Sequence, residues 1–399
     1  SRSPAGAAAR AGAAEPYRGS PRSRPAELMK DPGGTRICDK GLTINRHFPH
    51  HLTPTGDGGE AVGTGAALPS AIGQALLALG DQWTLLILQR GLTKQVRRFA
   101  DWRDELGMSE SVLSARLKEM VAGGLLEQVA YTSGGTRHEY RLTPRAAELW
   151  PMLVAIWSWE RTWVHHHDPP PDLIHQVCGA RADVVLGCGA CGTAFVTARD
   201  TATERGAGAT FAQVAVARHH RRTVRERLPD DALSYLPETM TILGDRWSTV
   251  VLAAAFLGIR RFADFQAELG IAPSVLSDRL RRFVEADVLV REPTPSARPQ
   301  YRLTDKGLSF FPVFAFLVDW ARRWYTGAPG TELTIRHTGC GSVLVPVLRC
   351  TACGRVMERD AVRFDLDPPG HRSADAEPCP AATGRRRCRR GRAATGRRA

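Results

Sequence analysis

Histidine and cysteine residues recur at a fixed spacing in two places along the chain. The first run is His175-x2-Cys178-x9-Cys188-x2-Cys191. The second run has the same spacing and comprises His337, Cys340, Cys350 and Cys353. Two donors separated by two residues can bind one ion from a tight turn, and two such turns complete the tetrahedral Cys3His shell that Zn2+ prefers. We therefore predict two structural zinc sites, one within each run.

Other interpretations of these residues stay open. A Cys-x2-Cys pair can be a redox dithiol, although that chemistry needs the pair at a helix N-terminus and both pairs lie between predicted strands. The thiols can also be buried and inert. A closed four-ligand site leaves no position for water or substrate, which favours a structural role over a zinc or dithiol enzyme. The sequence has no phosphate loop and no HExxH motif, so we predict that the chain is not an enzyme.

The two runs belong to an internal duplication. Residues 79–143 align with residues 243–304, where LGDQW matches LGDRW, RRFADW matches RRFADF, SVLSARL matches SVLSDRL and EYRLT matches QYRLT. A Cys/His run follows each of these segments. The chain therefore consists of two copies of about 160 residues, each with the same two parts in the same order.

Each copy has the pattern of a winged helix-turn-helix. In the first copy, apolar residues at helical spacing predict a helix over residues 72–88, and residues 98–106 form a second helix that Gly107 ends. Ser109 is the predicted N-cap of the next helix. Residues 125–131 and 138–142 alternate like the strands of a hairpin, and Pro144 opens a final helix. The predicted fold class is α+β, with two winged helix-turn-helix domains, each followed by a small zinc-ribbon-like module.

This architecture indicates double-stranded DNA as the partner. The second helix of the pair fits the major groove, and the wing tip reaches the neighbouring backbone or minor groove. A solvated basic face on a small domain would look similar, but helix pair, wing and duplication together favour DNA binding. The predicted contact residues are polar or basic and lie on the exposed face of that helix or at the wing: Ser111, Ser114, Arg116, Lys118, Arg137, Ser274, Ser277, Arg279, Arg281 and Arg298.

Charge and hydropathy set the remaining limits. The formal net charge of +13 is concentrated in the two tails, so it is weak support for nucleic-acid binding by the folded part. No apolar run is long enough to span a bilayer, which predicts no membrane partner. The nine cysteines are an odd number, and six of them fall into two clusters. This pattern suits a reducing compartment with metal sites better than a disulfide framework, so we predict a cytoplasmic protein. The predicted domains are a disordered leader (1–66), winged domain 1 (67–167), ribbon module 1 (172–200), a basic linker (201–230), winged domain 2 (231–327), ribbon module 2 (331–366) and a basic disordered tail (367–399).

These motifs resemble the HxlR-type winged helix-turn-helix regulators of bacteria, and the resemblance covers about half of the chain. It implies a transcriptional regulator that works as a homodimer joined through its terminal helices. Two fused units look like an intrachain pseudo-dimer, and a homodimer of such chains stays open. Many members sense oxidants through a cysteine before the first helix, where this chain has Ser70 and Ser234. The effector is unknown, and a protein-binding adaptor is the alternative function.

Overall fold

The computed structural model of the chain describes residues 70–79, 82–130, 138–165, 170–209, 239, 242–244, 246–293 and 298–365. The elements of the first copy are α1 (Ala71–Leu79), α2 (Gln82–Thr93), α3 (Phe99–Leu106), α4 (Glu110–Ala122), β1 (Leu126–Ala130), β2 (His138–Leu142), α5 (Pro144–Ala147), α6 (Trp150–Trp163), β3 (Asp172–His175), β4 (Ala180–Arg181), β5 (Val184–Cys188) and β6 (Thr201–Arg205).

The second copy repeats this order. Its elements are α7 (Arg246–Phe256), α8 (Phe262–Leu269), α9 (Pro273–Glu285), β7 (Leu289–Glu292), β8 (Gln300–Leu303), α10 (Asp305–Leu308), α11 (Phe311–Trp324), β9 (Leu333–His337), β10 (Pro346–Cys350) and β11 (Val362–Asp365). The predicted leader, the basic tail and Ser234 lie outside the described residues. In the part that the structure describes, no helix is both long and apolar enough to cross a membrane.

Each copy contains a helix pair followed by a two-stranded wing. In the first copy, Gly107 ends α3 with a left-handed backbone (φ 60°), which a glycine adopts without steric cost. The following helix, α4, buries Leu113, Leu117 and Met120. The strands β1 and β2 then pair antiparallel, as do β7 and β8 in the second copy. The mixed α+β class is confirmed, with one helix-turn-helix head in each copy.

Two serines near helix starts have different roles. The backbone N–H of Gly73 donates to the Ser70 hydroxyl at 3.1 Å, so Ser70 caps α1. Ser109 precedes α4 with an extended backbone, but its side chain makes no capping hydrogen bond. Its hydroxyl oxygen lies 3.4 Å from that of Ser111. The predicted boundary of α4 is therefore right, while its predicted side-chain cap is not formed.

The two copies meet along a seam built by α6 and α11. The indole N–H of Trp159 donates to the carbonyl oxygen of Lys306 at 3.0 Å. The equivalent indole, Trp320, donates to the carbonyl oxygen of Arg145 at 2.8 Å. Each copy thus makes the same contact to the other, which is the pattern of a two-fold related pair. One apolar core runs through both copies.

The Cys/His parts exchange strands between copies. Strand β5 pairs antiparallel with β10, and Leu186 lies opposite the equivalent Leu348. Likewise β11 pairs with β3, and β6 pairs with β9. The two predicted zinc-ribbon-like modules are therefore joined by strand pairing between the copies, and Leu186 and Leu348 are buried. Residues 201–205, placed in a linker by the sequence, form strand β6.

Candidate nucleic-acid interface and metal centres

The candidate reading helix of the first head is α4. The side chains of Ser111, Ser114 and Lys118 are exposed on it, as the sequence predicts. Arg116 differs, because its side chain is only 15% exposed and forms an ion pair with Glu119 at 2.5 Å. A guanidinium held in this way has to leave its carboxylate before it can contact a base. The accessible donors of this face are therefore the two hydroxyls and the Lys118 ammonium group.

The candidate reading helix of the second head, α9, is more basic. Ser274, Ser277 and Arg281 are exposed, whereas the Arg279 side chain is only 18% exposed. Asp278 takes the position of Ala115 in the first copy, and its carboxylate lies between arginines.

The Asp278 carboxylate contacts three guanidinium groups. Arg279, Arg281 and Arg282 approach it at 2.5, 2.7 and 2.9 Å. Partial burial opposes ionisation, but the hydrogen bond from Arg281 and the positive charges of Arg282 and Arg279 outweigh it and lower the pKa of Asp278. The same hydrogen bond raises the pKa of Arg281. The basic charge of this face is thus partly neutralised by one carboxylate on the same helix.

The wings are described only near their bases. Arg298 is exposed beside β8. Arg137 lies outside the residues that the structure describes, as do the tips of both hairpins, residues 131–137 and 294–297. Wing contacts to DNA therefore stay a prediction.

Eight Cys and His side chains form two compact clusters. Cluster I contains His175, Cys178, Cys350 and Cys353, and cluster II contains Cys188, Cys191, His337 and Cys340. Within each cluster the four donor atoms lie within 4.8 Å of one another. The structure brings together all eight residues that the sequence singles out, but each group draws on both runs and not on one. Each cluster combines the His-x2-Cys turn of one copy with the Cys-x2-Cys turn of the other.

The distances within the clusters match a tetrahedral ion site. Zn–S bonds of about 2.3 Å and Zn–N bonds of about 2.0 Å at tetrahedral angles place two sulfurs about 3.8 Å apart, and a sulfur and a nitrogen about 3.5 Å apart. In cluster I, the Sγ atoms of Cys178 and Cys350 are 3.9 Å apart, and Cys353 Sγ lies 3.4 Å from Nδ1 of His175. In cluster II, Cys191 Sγ lies 3.4 Å from Nδ1 of His337. A disulfide would need sulfurs about 2.05 Å apart.

The four turns that supply the ligands share one backbone geometry. In each turn, the N–H of a glycine donates to the carbonyl oxygen of the first ligand, at 2.8 or 2.9 Å. These glycines have a left-handed backbone, with φ between 69° and 81°, and are Gly179, Gly192, Gly341 and Gly354. Glycine adopts this conformation at no steric cost, so each turn can close tightly and direct both of its donor side chains into the same cluster. Gly189 serves packing instead, since an added Cβ would lie 3.1 Å from the side chains of Val345 and Val347.

Thiol ionisation differs within the clusters. Hydrogen bonds from the hydroxyl and backbone of Thr193 lower the pKa of Cys191 to about 6. Burial raises the pKa of Cys350 to about 11. A cation at the centre of each cluster would favour the thiolate form of Cys191 in cluster II and of Cys350 in cluster I, because a metal ion deprotonates the thiols that coordinate it.

Comparisons with known proteins agree with the two helix-turn-helix heads. The HxlR-like helix-turn-helix family matches residues 78–168 and 242–328. The uncharacterized HTH-type transcriptional regulator Rv3095 of Mycobacterium tuberculosis is 39% identical over 139 residues, which cover 35% of this chain and 87% of that protein. This chain belongs to the HxlR-like helix-turn-helix family. It carries two matches to the family, in agreement with the duplication.

Two further proteins show the same likeness. The uncharacterized HTH-type transcriptional regulator sll1512 of Synechocystis is 30% identical over 122 residues, which cover 30% of this chain and 88% of that protein. The solved structure of the Pseudomonas aeruginosa protein PA1374 is 32% identical, covers 30% of this chain and 83% of its own, and has a TM-score of 0.24.

Proposed function

We propose that the protein is a sequence-specific transcriptional regulator that binds double-stranded DNA in the bacterial cytoplasm with two reading heads in one chain. The observation that carries the proposal is the pair of helices α4 and α9, each preceded by a second helix and followed by a hairpin. Both expose hydroxyl and basic side chains in equivalent places. Hydroxyls and amines on such a helix bond phosphates and base edges in the major groove.

The two heads read different sequences in this proposal. Ala115 and Lys118 of the first reading helix correspond to Asp278 and Arg281 of the second. A lysine presents a point charge, whereas an arginine can bond guanine through two parallel hydrogen bonds. An operator with two unlike half-sites follows from this difference.

The test begins with selection of duplexes from a random library by the full-length protein. Binding of the selected duplex is then compared with a scrambled duplex of the same length. Lys118→Ala and Arg281→Ala should each weaken binding of the selected duplex about tenfold, since one good base contact contributes about 1–3 kcal/mol. Arg322→Ala, which removes an ion pair within α11, to Asp319 at 3.2 Å, is the control. Equal affinity for selected and scrambled duplexes, after removal of residues 1–66 and 367–399, would refute sequence-specific regulation.

We also propose that clusters I and II bind Zn2+ in a structural role. Three thiolates and one imidazole per site match the preference of zinc, and four protein ligands close the coordination shell. Purified protein should contain two zinc ions per chain by elemental mass spectrometry. Cys188→Ser combined with Cys350→Ser should remove both ions, because these residues belong to different clusters. Unchanged zinc content in this variant would exclude the sites.

A further inference from the structure

The ligands of each cluster come from both copies of the duplicated unit. Cys178 lies in the first copy, and Cys350, 3.9 Å from it, lies in the second. In cluster II the two copies exchange roles, and Cys191 of the first copy lies beside His337 of the second. A single ion in either cluster therefore bonds to both copies at once.

The strands explain why the ligands cross. Because β5 and β10 run antiparallel around the pair Leu186–Leu348, the end of each strand meets the start of the other. Cys188 at the end of β5 lies opposite Pro346 at the start of β10, and Cys350 lies opposite Val184. Each Cys-x2-Cys turn is thereby carried to the His-x2-Cys turn of the other copy. The ions would fasten the two ends of this shared strand pair.

The exchanged strands also contact the second reading head. Arg205 ends β6, which belongs to the first copy, and its guanidinium binds both carboxylate oxygens of Glu268 at 2.8 and 3.1 Å. Glu268 lies on α8, the helix that precedes the reading helix α9. Arg199 of the first copy forms a second ion pair across the copies, with Asp305 at 3.3 Å. Head 2 is thus linked to a strand whose partner, β9, ends in the ligand His337.

The first head lacks the equivalent arrangement in the described part of the chain. The residue equivalent to Glu268 is Glu105, and its carboxylate is paired with Lys94 at 2.6 Å and with Arg90 at 3.5 Å. Arg90 lies on α2 of the same head, and Lys94 directly follows that helix. Among the described contacts, the ion pair with Arg205 makes head 2 the head on which loosening of the exchanged strands would act.

We propose that the two ions are clamps between the copies that fix the placement of head 2 relative to head 1, so that metal occupancy controls binding to a two-half-site operator. This inference rests on the proposed regulator function and on the proposed zinc sites. Two heads held at a fixed spacing bind a matching pair of half-sites far more tightly than one head binds alone, typically by a factor of 10² to 10⁴. Without the ions, the seam of α6 and α11 still joins the copies, but the fixed spacing is lost.

The first experiment tests the crosswise ligand sets by zinc content. Cys178→Ser with Cys353→Ser removes two ligands of cluster I and should leave one ion per chain. Cys178→Ser with Cys191→Ser removes one ligand from each cluster and should leave none. Both variants remove one cysteine from each type of turn, and Cys379→Ser with Cys388→Ser controls for the loss of two other thiols. The reverse result for the first two variants would overturn the shared sites.

The second experiment tests control of DNA binding. The probes are the duplex selected by the zinc-loaded protein and the same duplex with about five base pairs inserted, which turns one half-site to the opposite face of the helix. Zinc-loaded protein should prefer the original spacing by tenfold or more. Protein stripped with a chelator should lose most of this preference, while its binding to a single half-site changes less than threefold. Re-addition of zinc should restore the preference.

A substitution that leaves all eight metal ligands in place separates this inference from the proposed function. Arg205→Ala should keep two zinc ions and reduce the spacing preference. Arg363→Ala removes an ion pair within the single strand β11, to Asp365 at 3.9 Å, and should leave the preference unchanged. If the stripped protein binds the selected duplex with its spacing preference intact, the clamp is wrong although the regulator stands. If no duplex is selected, the regulator itself is wrong.

Discussion

Removal of the Asp278 carboxylate should strengthen DNA binding by the second head. The carboxylate contacts Arg279, Arg281 and Arg282 within 2.9 Å. Arg281 keeps Glu285 as a second partner at 2.6 Å. Asp278→Ala therefore removes one negative charge from the reading face and frees one or two guanidinium groups for phosphates.

The size of the effect follows from counterion release. Each additional phosphate contact steepens the plot of log K against log salt by about 0.9. The slope for Asp278→Ala should steepen by about 1–2, and affinity at low salt should rise about tenfold. The gain should be similar for selected and scrambled duplexes, because phosphate contacts carry no sequence information.

The variant is expected to fold normally. The equivalent residue of the first copy is Ala115, so this position in the helix accommodates alanine. The lost ion pairs are partly exposed, and exposed pairs contribute about 0.2–1 kcal/mol each. Glu285→Ala, which leaves the Asp278 contacts in place, is the matched control with a smaller expected change. Fluorescence anisotropy across a salt series measures both. An unchanged slope, or weaker binding, would show that Asp278 orients the arginines for DNA and does not neutralise them.

Three further changes test the seam, the packing and the ligand turns. Trp320→Phe should lower the free energy of unfolding by about 0.5–1.5 kcal/mol, because the partly buried Arg145 carbonyl loses its indole donor. Trp159→Phe should cost less, since the Ser309 hydroxyl still donates to the Lys306 carbonyl at 2.8 Å. Gly307→Ala should cost about 1–3 kcal/mol in chemical denaturation, because its Cβ would lie 2.2 Å from the Val288 carbonyl oxygen. A cost below 0.5 kcal/mol, within the range of an ordinary surface substitution, would contradict that close contact. Gly192→Ala should weaken zinc retention against a chelator about 5- to 30-fold, since a non-glycine residue at φ 81° costs about 1–2 kcal/mol. Equal retention by the variant and the wild type would contradict the need for a left-handed backbone at this position.

The helix-turn-helix heads could be predicted from the sequence because their cores are local. Leu113 and Leu117 lie one turn apart and are both buried, as helical periodicity requires. Gly107 ends α3 where the sequence predicts it. The duplication added a second, independent instance of each pattern, and the family comparison confirms both.

The partners of the metal ligands could not be predicted from spacing. The two runs have the same internal spacing, so this spacing is the same whether the Cys-x2-Cys turn comes from the same copy or from the other one. It cannot decide whether Cys178 shares an ion with Cys188 or with Cys350. Only the pairing of β5 with β10 decides between them. Similarly, side-chain type alone marked Arg116 as a base-contacting residue, whereas its ion pair with Glu119 depends on the rotamers of neighbouring side chains on the same helix.

The contact between Leu186 and Leu348 has a consequence for how this protein can change over generations. In an assembly of identical chains, a residue on the symmetry axis meets its own copy, so any substitution there occurs twice and must fit itself. Here the two leucines are separate codons. A larger side chain on one strand can be matched by a smaller one on the other, and each head can acquire new preferences while its neighbour keeps the old ones.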